Sequence, residues 1–268
     1  MYTFSIYLRL LRAQLRSQFQ YRASFWLDVF TTAVFSGVYF LSFALLLERF
    51  GQIDGWRLGE IAFLAGMTEL TFALMDLIFS GFDPDFFAPN VQMGRLDQIF
   101  LRPVNITVQL LGSRLVLRRL GRALEGLVIL LFGIFASGMH WTLAKVLYLP
   151  ILMVSQIFCM GALFIAGSTI TFWTVQRVEA VNIVTYGGVE MMSYPMSIYP
   201  AWIRRFFTYI LPFIFMNYYP ALFFLDKPDP LNMPAFAPFL APFVAAILFW
   251  LALRFWRFGL NHYQSTGS

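Results

Sequence analysis

VLYLPILMVSQIFCMGALFIAGSTITF, residues 146–172, carries no charged residue. It exceeds the roughly 20 apolar residues that a helix needs to cross a hydrocarbon core of about 30 Å. The stretch predicts a transmembrane helix, and the chain around it repeats the pattern. Runs of similar apolarity stand at about 25–47, 60–80, 122–139, 180–199 and 235–257. The expected fold class is an all-α polytopic membrane protein with six transmembrane helices.

Composition agrees. Hydrophobic residues make up 59% of the chain and charged residues 12%, against about 25% charged in a soluble domain. Six spans leave little of residues 1–268 for anything but one transmembrane domain. The first run begins too deep and runs too long for a cleaved leader, and is expected to be retained. Cys159, the single cysteine, lies inside an apolar run, which excludes an internal disulfide and a cysteine metal cluster.

The basic residues give the runs a sidedness. With the N-terminus cytoplasmic, Arg9, Arg12, Arg16, Arg22, Arg95, Arg102, Arg114, Arg118, Arg119, Arg122, Arg177, Arg254 and Arg257 fall inside. Arg49, Arg57, Lys145, Arg204, Arg205 and Lys227 fall outside. The excess inside predicts cytoplasmic N- and C-termini. The net charge of +5 then reports topology rather than nucleic-acid binding.

Three segments differ from the spans. Residues 1–22 repeat Phe4, Leu8, Leu11 and Leu15 at helical spacing beside a stripe of Arg9, Arg12 and Arg16, a pattern for a helix in the inner membrane interface, the alternative being a helix packed on other protein. Residues 106–122 place Arg114, Arg118 and Arg122 four apart and are expected to run directly into the third span, with Glu125 in a local ion pair. Residues 200–234 are punctuated by Pro200, Pro212, Pro220, Pro228, Pro230 and Pro234, which predicts a broken, re-entrant elbow on the outer side before the last helix.

Several chemistries are excluded. A phosphate loop needs a Gly-Lys-Ser/Thr ending, and neither Lys145 nor Lys227, the only lysines, fits one. His140 and His262 fall on opposite sides of the membrane, which rules out a paired-histidine metal site. Asp83-Pro84-Asp85 reads as a helix cap rather than a metal site. No resident metal or cofactor is expected.

Acids inside the spans are the informative residues. Glu69 and Asp76 lie seven apart, on one helical face, and a charge at a helix centre costs about 2.5–3.5 kcal/mol on the gentler insertion scale. Both should face protein or water, Asp76 in a structural role. Glu190 stands between Tyr186 and Tyr194, one turn to either side. Glu69, Phe72, Tyr186, Glu190, Met191 and Tyr194 together form a candidate path for a neutral or cationic amphipath.

GRLDQIFLRPVN (94–105), LGSRLVLRRLGR (111–122), SYPMSIYPAWIRRFFTYILPFIFMNYYPALFF (193–224) and WRFGLNHYQSTGS (256–268) together resemble the permeases of type 2 ABC exporters, in particular a six-span subfamily. The resemblance runs over essentially the whole chain. It implies that residues 93–105, between the second and third spans, form a cytoplasmic coupling helix docked in a groove of an ATPase subunit. Leu96, Ile99 and Phe100 would be its apolar face and Arg95, Asp97 and Arg102 would pair across the contact. It also implies an ABC ATPase dimer holding ATP and Mg, a second copy of this permease or a related one, and residence in a bacterial inner membrane. The alternatives are an ATP-independent carrier or channel using Glu69 and Glu190, then a membrane-embedded enzyme. The carrier expects inverted repeats, and residues 1–140 show no convincing similarity to 141–268.

Overall fold

The computed structural model describes residues 2–19, scattered positions between 26 and 45, 51–117, 119–176 and 179–264. These fold into helices α1 (Tyr2–Phe19), α2 (Leu58–Phe79), α3 (Pro84–Gln92), α4 (Arg95–Phe100), α5 (Ile106–Leu111), α6 (Arg119–Ala136), α7 (Leu143–Thr174), α8 (Glu179–Met192), α9 (Ala201–Tyr209), α10 (Tyr218–Phe224) and α11 (Ala241–His262). The described residues contain no strand longer than a bridge between Ile53 and Trp56.

Among the described residues, three helices are long and apolar enough to cross a membrane: α2 continued by α3, α7 and α11. A fourth is reached if α9 and Phe213–Phe224, bent by 81°, count as one. The run at 25–47 lies largely outside the described residues. The third run forms α6, whose first turns carry Arg119, Arg122 and Glu125. The fifth is shorter than expected: α8 has 14 residues and stops at Met192, because Pro195 disfavours helical backbone at Tyr194 before it.

Helix α2 is the hub, buried on nearly all sides and paired along its length with α6. Glycines allow this approach. A Cβ at Gly66 would lie 2.2 Å from the Leu130 backbone, one at Gly133 2.3 Å from Phe63, one at Gly126 2.5 Å from Leu70 and one at Gly59 2.5 Å from Ala136. Two helices thus meet backbone to backbone, as small residues permit in membrane proteins. The outward side of α6 shows Leu124, Val128, Leu131 and Phe135, and that of α11 shows Phe243, Ile247, Trp250 and Leu251, all exposed. Apolar bands of this extent need lipid or protein over them.

The broken segment is held by buried amides. Asn217, just before α10, donates from Nδ2 to the Leu64 carbonyl at 3.2 Å, to Thr68 Oγ1 at 2.7 Å and to the Met192 carbonyl at 2.5 Å. Gln156 of α7 donates to the Met216 carbonyl at 2.7 Å and accepts from Thr71 at 2.7 Å. The backbone groups freed at the break therefore find partners inside the protein, as a low-dielectric setting requires.

One expectation needs correction. Residues 106–122 are not one helix: α5 ends at Leu111 and α6 begins at Arg119. Gly112 lies against Leu10 of α1, where an added Cβ would meet Leu10 at 2.9 Å, and Gln14 donates to the Ser113 carbonyl at 2.8 Å. Helix α1 therefore packs on protein through Leu10 and Gln14, while Arg9, Arg12 and Arg16 stay exposed. Residues 20–22 of that expected helix lie outside the described residues.

Candidate functional site

The two ends of the bundle carry different chemistry. At the end holding the broken segment, Lys227 pairs with Glu60 at 2.8 Å and Lys145 with Asp226 at 2.6 Å. At the other end Asp83 caps α3, accepting from the Asp85 amide at 3.0 Å with Pro84 in the first turn. The capping role expected of Asp83-Pro84-Asp85 is thus met. Among the described residues, no group of three His, Cys, Asp or Glu side chains could hold a metal.

Three acid–arginine pairs tie α2 and its extension to the following basic run. Arg122 forks over Glu69, with Nε at 2.6 Å and Nη2 at 3.2 Å. Arg119 Nε stands 2.8 Å from Asp76, whose residue is 1% exposed, but off the hydrogen-bonding axis. Arg114 reaches Asp83 at 3.5 Å. The Arg122 guanidinium also lies 4.9 Å from the centre of the Phe72 ring, where the ring face attracts a cation. Arg122, read from sequence as a neighbour for Glu125, forks across the helix interface to Glu69. These arginines read as topology signals, although the spacing of the acids on one α2 face is itself a signal that a facing helix must supply cations.

Of the expected path residues, the structure brings Glu69, Phe72 and Tyr186 together, with Phe72 edge-on to Tyr186 at 5.5 Å. Glu190 lies one turn beyond Tyr186 on α8, exposed and within electrostatic range of Glu69 and Arg122. Met191 and Tyr194 are half-buried, and Met191 packs on the core.

The 93–105 segment is short and well anchored. Gly94 has φ of 63°, a left-handed conformation that favours glycine, and turns the chain from α3 into α4. Asn105 accepts from the Thr107 amide at 2.9 Å and starts α5. Gln109 donates to the carbonyls of Ile99 at 3.2 Å and Val104 at 2.8 Å, fastening the loop between them.

Of the face expected to be presented, Arg95, Phe100 and Arg102 are exposed, while Leu96, Asp97 and Ile99 need correction. Leu96 is 1% exposed and belongs to the chain's own core, Ile99 is half-buried against that core, and Asp97 accepts a hydrogen bond from Tyr263 at 3.1 Å. Phe100 stacks on Tyr263 at 5.2 Å. The outward side consists of Met93, Arg95, Gln98, Phe100, Leu101 and Arg102, with Leu101 85% exposed. The apolar stripe was correctly spaced for a helix, but a stripe does not say whether the partner is another chain or the protein's own interior.

A family model described as ABC-2 family transporter protein matches residues 33–267. The comparisons with curated proteins and with solved structures yield no match.

Proposed function

This chain belongs to the ABC-2 family of transporter proteins, and from that premise we propose that it is the membrane permease subunit of an exporter driven by separate ATPase subunits. The observation that carries the reading is α4. It is a short helix anchored on the chain's own core through Leu96 at the end away from the broken segment, with Arg95 and the flanking Met93, Leu101 and Arg102 exposed. In this reading an ABC ATPase dimer holds ATP and Mg and grips the outward side of α4. A second permease, identical or related, completes the pathway. The chain crosses a bacterial inner membrane six times, with both termini cytoplasmic and the segment from Ala201 to Phe224 forming an outer elbow.

The cargo is an amphipathic or hydrophobic small molecule. Glu190 supports a preference for neutral or cationic forms: it is an exposed acid beside Tyr186, whereas the Glu69 charge is answered by Arg122. A carrier without ATP would need Glu69 and Glu190 both to take up protons or cations, and the Arg122 fork opposes that role for Glu69.

The test is copurification. A tagged chain expressed with the ABC ATPase encoded beside it should bring that ATPase down from detergent extracts, and substrate-stimulated turnover should need both. A chain that transports in vesicles with no ATPase present would reject the proposal.

A further inference from the structure

The terminal WRFGLNHY stretch, residues 256–263, serves no role in the proposal above, yet it touches the coupling segment at one end and the helix that follows it, α5, at the other. Trp256 is 1% exposed and its Nε1 donates to Thr107 Oγ1 at 3.0 Å, just after the segment closes. Seven residues on, Tyr263 lies on the same helical side. Its hydroxyl donates to Asp97 Oδ1 at 3.1 Å and its ring stacks on Phe100 at 5.2 Å, with an interplanar angle of 11°.

Phe172 of α7 fills the space between them, 5.3 Å from Trp256 and 5.5 Å from Tyr263. Gly259 makes room, since a Cβ there would lie 2.7 Å from Phe172 and from Thr169. The end of α11 is therefore a brace under α4 rather than a free tail.

We propose that Tyr263 is a positioning residue for coupling: it ties α4 to the last helix, so that a displacement imposed on α4 by the ATPase is carried into α11. This rests on the reading of α4 as the ATPase docking element. It also changes what Asp97 does. Its carboxylate serves the brace from inside, and the ATPase meets the opposite side of α4. Burial, then the Asp97 carboxylate, push the Tyr263 phenol up to about 12, so it stays protonated and able to donate at physiological pH.

Three variants of the full chain, reconstituted with its ATPase, separate the possibilities. Tyr263→Phe removes the hydrogen bond and keeps the stack. Tyr263→Ala removes both, and Asp97→Asn keeps an acceptor while removing the charge. Each is compared for copurified ATPase, for transport per ATP hydrolysed, and for the mobility of a spin label at Gln98→Cys. Cys159 is fully buried, which keeps the label on the exposed new site.

The brace predicts normal copurification throughout and, for Asp97→Asn, which keeps the stack and exchanges a charged acceptor for a neutral one, a smaller loss of transport per ATP than for Tyr263→Ala. It predicts a loss of about threefold to tenfold for Tyr263→Phe, the scale of one hydrogen bond. Tyr263→Ala should lose more, with a clearly more mobile label. Normal coupling with an unchanged label in Tyr263→Ala overturns the brace, as does an Asp97→Asn variant as uncoupled as Tyr263→Ala. If Tyr263→Ala does not fold, Tyr263→Phe and Asp97→Asn still decide it. A wild-type chain that captures no ATPase rejects the docking reading instead, and the label alone then reports whether Tyr263 holds α4.

Discussion

Glu69 and Asp76 sit inside a helix that is apolar and buried for most of its length, so each needs a counter-charge. Arg122 and Arg119 supply it. Removing one member of a buried pair strands the other, which costs about 3–5 kcal/mol, whereas replacing both by apolar groups is often neutral. Asp76→Asn should therefore sharply lower the yield and thermal stability of the detergent-purified chain, and Glu69→Gln should lower them less, as its pair is partly exposed. The Glu69→Leu, Arg122→Leu double variant should be more stable than either single variant, measured as unfolding midpoints. Glu190→Gln, at an exposed position, should leave stability unchanged and reduce export of cationic more than of neutral amphipaths, measured in vesicles; equal loss for both would remove Glu190 from any role in selecting charge. That these acids must face protein or water was legible from the cost of a charge in lipid. Their partners were not, because an arginine some fifty positions later in the chain reads equally well as a mark of the membrane's inner side.

Helices were legible wherever burial and length agree. The uninterrupted run at 146–172 became α7, and 60–80 became α2 with its ends moved by two residues or fewer. What sequence periodicity cannot carry is the way elements press on one another. The break between α5 and α6 arises where α1 lies on Gly112, and the intimacy of α2 and α6 rests on glycines that look like ordinary apolar-run residues. This intimacy makes a sharp prediction. Gly66→Val and Gly126→Leu place side-chain atoms against backbone 2.2 Å and 2.5 Å away, which cannot yield as a flexible side chain can. Both should abolish accumulation of folded chain, judged by size-exclusion profile. Gly187→Ala, with nothing within 4 Å, should be silent. The α4 stripe illustrates the same limit: its helical spacing was readable, but Leu96 faces the chain's own core, where α3 and α5 pack on α4.

At the scale of the molecule, chemistry is divided between two ends. Lysine–carboxylate pairs and the amide-held break in the segment from Ala201 to Phe224 mark one, while α4, the α3 cap and the Trp256–Tyr263 brace mark the other. If the ends lie on opposite sides of a membrane, a polar thiol reagent must distinguish them. Leu101 and Ala235 are both exposed and stand at opposite ends, and Cys159 is buried, so single cysteines at 101 and 235 report cleanly. In intact cells Ala235→Cys should react and Leu101→Cys should not; in inverted vesicles the pattern should reverse. Adding the ATPase to inverted vesicles should then protect Leu101→Cys, since its side chain projects from the outward side of α4, and should leave a label on α1 at exposed Arg12→Cys unprotected. Reaction of both ends from the same side would reject the sidedness that the basic residues predict. Opposite reactivity with no protection by ATPase would keep the sidedness and move the docking surface away from α4. The labelling thus tests the topology and the docking surface separately, which transport measurements alone cannot do.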